Sequence, residues 1–308
     1  MNQHFIPRFV LEGFVDRSRG NRGVWVWAAA SRRWKKRPTK KLASENNLYS
    51  LLDDDREARD DSIEELLEFI ETSTARVIKK AISRRRPMSE TERALFTSFC
   101  TLMMCRNPTV LERSAHRIVQ EGEAVIREVS ETREDFQRAR EEYLLATGNE
   151  LPDLVDPNAA FKNLIVQATK AGTLHLSFAL YDLIFDALAA MAIDFVFTTA
   201  QSPFVTSDIP YSLDATDTEG LFGQFRLPLS SEITAIFLES AVPSVCYVDI
   251  SPLQVAKVNV AAISVARKYV ISSRTDAVPE SLLEAWGNAP EAERNEAVGH
   301  WWLRYSSQ

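Results

Sequence analysis

Phe195-Val196-Phe197-Thr198-Thr199, followed by Phe204-Val205-Thr206, marks the place where the hydrophobic period of this chain changes. β-Branched and aromatic residues crowd into short runs separated by a Ser-Pro turn, which is the pattern of strands. Phe225–Leu227, Ile233–Leu238 and Val245–Val248 repeat it. Ser251-Pro252 then opens a helix running to about Arg267, since proline is tolerated at a first helical position, and Lys268–Ser272 returns to a strand. Before Phe195 the apolar residues fall at helical spacing instead. Ile63, Leu66, Leu67, Ile70, Val77, Ile78 and Ile82 predict a helix over 62–83, opened by Ser62 and Glu65 in a capping box. Ser89 and Glu92 repeat that signature ahead of Leu95, Phe96, Phe99, Leu102 and Met103, and this helix ends near Arg106-Asn107-Pro108. A charged helix or helix pair over 109–147, a connector at 151–158 and a helix from Ala159 to about Ile193 follow. The stretch Leu174–Ala192 is apolar nearly all round and is expected at the centre of the core.

Val24-Trp25-Val26-Trp27 is a short strand near the N-terminus with apolar residues at every position. Such a strand is covered on both sides, or its tryptophan face is functional. A basic stretch and a polar loop through Tyr49 come after it. This order predicts an α+β protein: a central helical bundle packed on a mixed or antiparallel sheet, formed mainly by the C-terminal third plus the short N-terminal strand. Residues 1–275 read as one domain, and 276–308 as a helical tail carrying Trp286, Trp301 and Trp302.

The 308 residues are 45% apolar and 26% charged, an ordinary globular composition. No run of about 18 apolar residues is present, so no membrane span is expected. Three cysteines and no secretory leader point to the cytoplasm. The net charge is −7, yet residues 17–41 hold ten Lys/Arg and no acid, which leaves the remainder at −17. An acidic chain is unsuited to coating DNA non-specifically, whereas the basic stretch, interleaved with Trp25, Trp27 and Trp34, suits single-stranded nucleic acid. The plainer account of the same stretch is core tryptophans beside a solvated loop. Walker loops, dinucleotide fingerprints and His-Glu-x-x-His are absent from the sequence.

Several polar residues sit where a core does not need them. His4 stands directly before the rigid Ile6-Pro7 region, as a general base, a metal ligand or a histidine pinning the N-terminus. Glu64, Glu68 and Glu71 share one helix stripe. Glu64 flanks the apolar side as a metal ligand, an orienter of His4 or a favourable helix N-terminal acid, and Glu68 and Glu71 are expected in solvent. Arg106 follows an apolar helix and needs a carboxylate or an anionic ligand, with Glu64 and Asp208 the first partners to examine. Ser207 and Asp208 end a strand stiffened by Pro210, either presenting polar groups or closing a turn on backbone amides.

These landmarks carry a family likeness. Asn2-Gln3-His4-Phe5-Ile6-Pro7-Arg8-Phe9 with Leu11 and Phe14 resembles the opening His-x-x-Pro-x-x-x-Leu-x-x-Phe of bacterial proteins of the domain-of-unknown-function 4238 family. Val24–Trp27, Ile63-Glu64, Arg106-Asn107-Pro108, Phe204–Pro210, Leu227–Ser230, Val258-Asn259 and Ala266–Ser272 are similar in kind and order. The resemblance covers about residues 2–273 and implies a bacterial or phage-borne intracellular protein without bringing an activity. The basic run at 31–41 is longer than the family pattern, and the tryptophan-bearing tail is an addition. Three functions follow as expectations. One is a nuclease-like, metal-assisted hydrolase with His4, Glu64 and Asp208 as catalytic residues, His4 as base or ligand and Glu64 and Asp208 as ligands of a divalent cation such as Mg or Mn or as orienters, and with Arg8, Arg106 and Ser207 binding the substrate. The others are a non-catalytic sensor or binding module of a defence or prophage system, and a nucleic-acid-binding protein using residues 17–41.

Overall fold

A computed structural model of the chain describes residues 2–16, 22–46, 51–52, 59–60, 62–107, 110–111, 178–214 and 224–306. The helices expected over 109–147 and from Ala159, and the connector between them, lie almost wholly outside the described residues. The chain divides into two compact units, Met1–Met104 with Tyr181–Gln308, and Cys105–Leu180. The first unit is of α+β class.

Its elements run β1 Asn2–His4, α1 Arg8–Glu12, β2 Val24–Ala28, β3 Arg33–Arg37, a 3-10 turn Thr39–Lys41, β4 Ser44–Asn46, β5 Leu51–Leu52, β6 Arg59–Asp60, α2 Ser62–Lys80 and α3 Glu90–Cys105. Then come α4 Tyr181–Ala190, β7 Ala192–Phe197, β8 Thr206–Ser207, β9 Ser212–Asp214, β10 Gln224–Pro228, β11 Ile233–Leu238, β12 Val245–Asp249, α5 Pro252–Ser264, β13 Tyr269–Ser272, α6 Glu280–Asn288 and α7 Arg294–Ser306. Local chemistry sets several boundaries. Ser89 and Glu92 close a capping box at α3, and Ser251 with Gln254 closes another behind Pro252 at α5. The Arg93 guanidinium donates to the carbonyls of Ala189 and Met191 and so satisfies the C-terminal end of α4.

Where the sequence predicts one sheet, the described strands form two larger sheets and two two-stranded ladders, β1-β4 and β5-β6. A mixed sheet has the order β12-β7-β11-β10-β9, with β12 parallel to β7 and the other pairs antiparallel. An antiparallel sheet has the order β3-β2-β13-β8. Periodicity says which face of a strand is buried but not which strand lies beside it. After α5 the chain brings β13 to the N-terminal hairpin instead of returning it to β12. The basic stretch, which carries no strand signal, is itself the edge strand β3.

The main core lies on one face of each sheet. Val24, Val26 and Ile271 meet Phe195, Phe197, Phe225, Leu227 and Phe237, with Phe96, Phe99 and Met103 of α3 and Ile6, Val10, Leu11 and Phe14 of the N-terminal segment. Each such side chain contributes about 1.5–3 kcal/mol on burial. The opposite face of the antiparallel sheet carries a second core, where Trp27 and Val270 pack against Ala262, Ile263, Leu282, Leu283, Trp286, Val298 and Trp301. The rings of Trp27 and Trp286 lie 5.4 Å apart, and Trp286 Nε1 donates to the Ala266 carbonyl at 3.0 Å. Val24–Trp27 is therefore covered on both sides, and helices α6 and α7 supply the tryptophan-facing cover.

The apolar stretch expected at the centre of the core is not central in its described part. Leu183 of α4 is 53% exposed, and only Leu188 of that helix is fully buried. Ile184, Ala187 and Leu188 lie on the stripe that meets the main core. The helix also ends at Ala190 rather than near Ile193, because Ala192–Phe197 pairs with β11.

Candidate functional site

The N-terminal segment does meet a late strand connection. Gly13 donates no side chain, so its backbone approaches the β10–β11 turn closely enough for the Ser231 amide to reach the Gly13 carbonyl at 3.0 Å. A Cβ on Gly13 would stand 2.6 Å from the Leu229 carbonyl oxygen, so only glycine permits this approach. The tip bearing Asp208 makes a different connection. Asp208 is 7% exposed, and its carboxylate accepts from the backbone amides of Arg267 at 3.0 Å, Lys268 at 2.8 Å and Tyr269 at 3.5 Å. Burial pushes the Asp208 carboxyl above the ordinary range, and those amides pull it back. Ser207 Oγ donates to the Ile209 carbonyl at 2.6 Å. Both polar groups close a turn at the entrance to β13. Two family landmarks, Phe204–Pro210 and Ala266–Ser272, are thereby joined.

His4 has other neighbours. Burial lowers its pKa, while the backbone of Thr39 and Lys40 and the charge of Glu71 act in the opposite sense and Arg8 adds a small further lowering. Its Nε2 is buried without a hydrogen-bond partner among the described residues. The acid that reaches His4 electrostatically is Glu71, the member of the glutamate stripe expected in solvent, and it is half-buried. The Glu64 side chain lies outside the described residues. Arg106, 1% exposed, belongs to the second unit. The neighbours of His4 and those of Asp208 share no residue, and no group of three metal-ligating side chains occurs among the described residues. Burial raises the Cys100 thiol well above its usual value and the Cys105 thiol to about 12, which makes both poor nucleophiles.

Three concavities of the first unit differ in how their charges are used. The largest, about 920 Å³, lies beside Gly13 and is walled by Asp16, Ser83, Arg85, Phe197, Thr198, Ser230, Ser231, Glu232 and Arg274 among others. Its cations are paired. Arg85 lies 4.2 Å from the Phe197 ring centroid and grips Asp249 with both terminal nitrogens, one at 2.7 Å. Arg274 holds Asp276 from Nε at 2.8 Å.

The other two flank the Thr39–Lys41 turn and are basic. On one side Arg8, Phe9, Glu12, Arg22, Thr39 and Lys40 border about 500 Å³. Glu12 accepts from Thr39 at 2.6 Å and pairs with Arg8 at 3.5 Å, which leaves this cleft with two cations in excess. On the other side Val26, Ala28, Ser31, Lys35, Arg37, Pro38, Lys41, Leu42 and Tyr269 enclose about 340 Å³ with no acid in the wall. Strand register explains that wall. Arg37, Lys35 and Arg33 stand opposite Val24, Val26 and Ala28, so they share one face of the sheet. Tyr269 stands opposite Ala28 on the same face. Lys36 points the other way, where Asp16 binds it at 2.9 Å and also accepts from Trp25 Nε1 at 3.2 Å. Among the described residues no carboxylate pairs with Lys35, Arg37 or Lys41.

A family model described as Protein of unknown function (DUF4238) matches residues 2–276. The chain belongs to this family. No curated protein and no solved structure matches it. The DUF4238 match takes in both basic clefts and the Asp208 turn, and stops ahead of α6 and α7, whose tryptophans nevertheless complete the second core. None of the described helices of this DUF4238 protein is long and apolar enough to cross a membrane.

The site residues that sequence reasoning missed are Glu71, Asp16 and Tyr269. Glu71 was marked by its place on the Glu64 stripe. The other two carried no local signal, since their roles come from strand register.

Proposed function

We propose that this chain binds single-stranded nucleic acid along the basic edge formed by β3 and the Thr39–Lys41 turn. One observation carries the reading: cations on both sides of that turn face concavities and lack carboxylate partners, on a chain whose net charge is −7. Unpaired cations lining a concave, partly apolar wall focus the field of the protein and attract phosphates. Apolar and aromatic walls beside them give the bases a surface. Trp25 and Trp27 take no part in this, because Trp27 is core and Trp25 is tied to Asp16.

Fluorescence anisotropy with a labelled single-stranded oligonucleotide tests the proposal. Binding is expected at low salt, with log K falling by roughly 0.7 per phosphate contact for each unit of log salt. Absence of binding at low ionic strength, or capture of anionic vesicles but not of oligonucleotide, would overturn it. The bacterial, cytoplasmic setting implied by the family pattern is part of the same proposal, as is a non-catalytic role in which the Asp208 turn is structural.

A second reading, a metal-assisted hydrolase, is favoured by His4, whose Nε2 is buried without a hydrogen-bond partner among the described residues. It calls for Mg- or Mn-dependent degradation of nucleic acid that His4→Ala abolishes. Degradation unchanged by that substitution, or none at all, would dismiss it.

A further inference from the structure

The 340 Å³ pocket has more positive charge than a strand passing through it would need. An internal phosphodiester carries one negative charge. A terminal phosphomonoester carries about −1.5 to −2 at neutral pH and offers three strong acceptor oxygens. Lys35, Arg37 and Lys41 bring three cations to this one small concavity, with the Ser31 hydroxyl beside them. The rest of the wall is of another kind: Val26, Ala28, Pro38 and Leu42 are apolar and Tyr269 is aromatic. A volume of about 340 Å³ is at the small end of ligand pockets, sized for a single nucleotide rather than several.

We infer that this pocket seats a terminal nucleotide, its phosphomonoester held by Lys35, Arg37 and Lys41 and its base against Tyr269 and the apolar wall. The inference rests on the nucleic-acid reading above and narrows it from a strand to the end of a strand. The same chemistry is presented by a free nucleoside monophosphate. Three structural features support a seat of fixed shape. Lys35 and Arg37 are placed by the pairing of β3 with β2. The backbone of Tyr269 is anchored through its carbonyl, which accepts from the Asp208 amide at 3.2 Å, and by the Asp208 carboxylate. Leu42 is buried, which closes the far side of the Thr39–Lys41 turn. Asp208 is thus a positioning residue for the pocket wall.

The test compares, by anisotropy with the full chain, one single-stranded oligonucleotide in three forms: with a 5′-phosphate, with a 3′-phosphate and with hydroxyl ends. One phosphorylated form is expected to bind about tenfold more tightly than the hydroxyl form, by the added charge-assisted hydrogen bonds. Lys41→Gln and Arg37→Gln, both at exposed positions where folding is not at stake, should each weaken the phosphorylated form several-fold more than the hydroxyl form and so shrink that preference; an equal loss for both forms would overturn the inference. Adenosine monophosphate as competitor separates the two sources. If it displaces the phosphorylated oligonucleotide at similar concentration, the pocket takes the free nucleotide. If it fails while the preference stands, the pocket reads a strand end. Equal affinity for all three forms would overturn the inference and leave the nucleic-acid reading intact. No binding of any form at low salt would overturn both.

Discussion

The two kinds of cleft in this protein differ less in the number of their cations than in what those cations already hold. In the large cleft beside Gly13, Arg85 is taken by Asp249 and Arg274 by Asp276, so the guanidiniums are neutralised before any ligand arrives. In the small pocket beside β3, Lys35, Arg37 and Lys41 line one concavity together with an apolar wall and no acid. Like charges brought together without a counterion repel, and a folded protein tolerates that where water or a ligand screens them. On the nucleic-acid proposal, uncompensated charge rather than volume distinguishes the cleft that binds.

The comparison can be broken first at the turn that supports the basic pocket. Asp208→Ala leaves three backbone amides without their acceptor and should cost about 3 kcal/mol in urea unfolding, since each buried unsatisfied group costs roughly 1–3 kcal/mol and relief of the buried charge offsets part of the sum. A melting curve unchanged from wild type would remove Asp208 from the wall. Lys35→Glu with Lys41→Glu should weaken binding of a single-stranded oligonucleotide about 100-fold, equivalent to about 2.7 kcal/mol, without changing stability. An equal loss from Arg274→Ala would show that the large cleft is the one that binds.

Gly13→Ala presses a methyl group onto the Leu229 carbonyl and should destabilise by about 1–3 kcal/mol while leaving oligonucleotide affinity unaltered. Acid should act through His4. Burial holds its folded pKa below the ordinary 6.5, so the unfolded chain binds the proton more readily. That contribution to stability is complete above pH 6.5 and is lost as the pH falls through the folded value. His4→Gln should therefore flatten the stability profile between neutral pH and pH 5, and an unchanged slope would show that another group titrates there. The smallest effect is expected from Asp249→Asn. Its pair with Arg85 is exposed and screened, so the melting temperature should not shift measurably.

Legibility in the sequence followed the range of the interactions. The capping residues Ser89, Glu92, Ser251 and Gln254 act within one turn of helix, and each is found where the pattern places it. Strands β7, β10, β11, β12 and β13 announce themselves through β-branched and aromatic runs. Strand β3 does not, because Arg33-Trp34-Lys35-Lys36-Arg37 has the composition of a solvated loop. It becomes a strand by pairing with β2 at the sheet edge, where lysine and arginine also block further pairing. The site was legible as a charge excess over 17–41 but not as a pocket. That Lys36 is already paired depends on Asp16, 20 residues away.

The sequence by itself determined the α+β class, the starts of α2, α3 and α5, the family and the existence of a basic segment on an acidic chain, because composition, periodicity and capping are local properties. The tertiary structure alone decided that the long strands divide between two sheets, that the Asp208 carboxylate closes on the backbone amides of Arg267 and Lys268, and that Lys35, Arg37, Lys41 and Tyr269 line one space. Those outcomes are set by strand order and register, which depend on residues far apart along the chain and leave no mark in any single stretch of it.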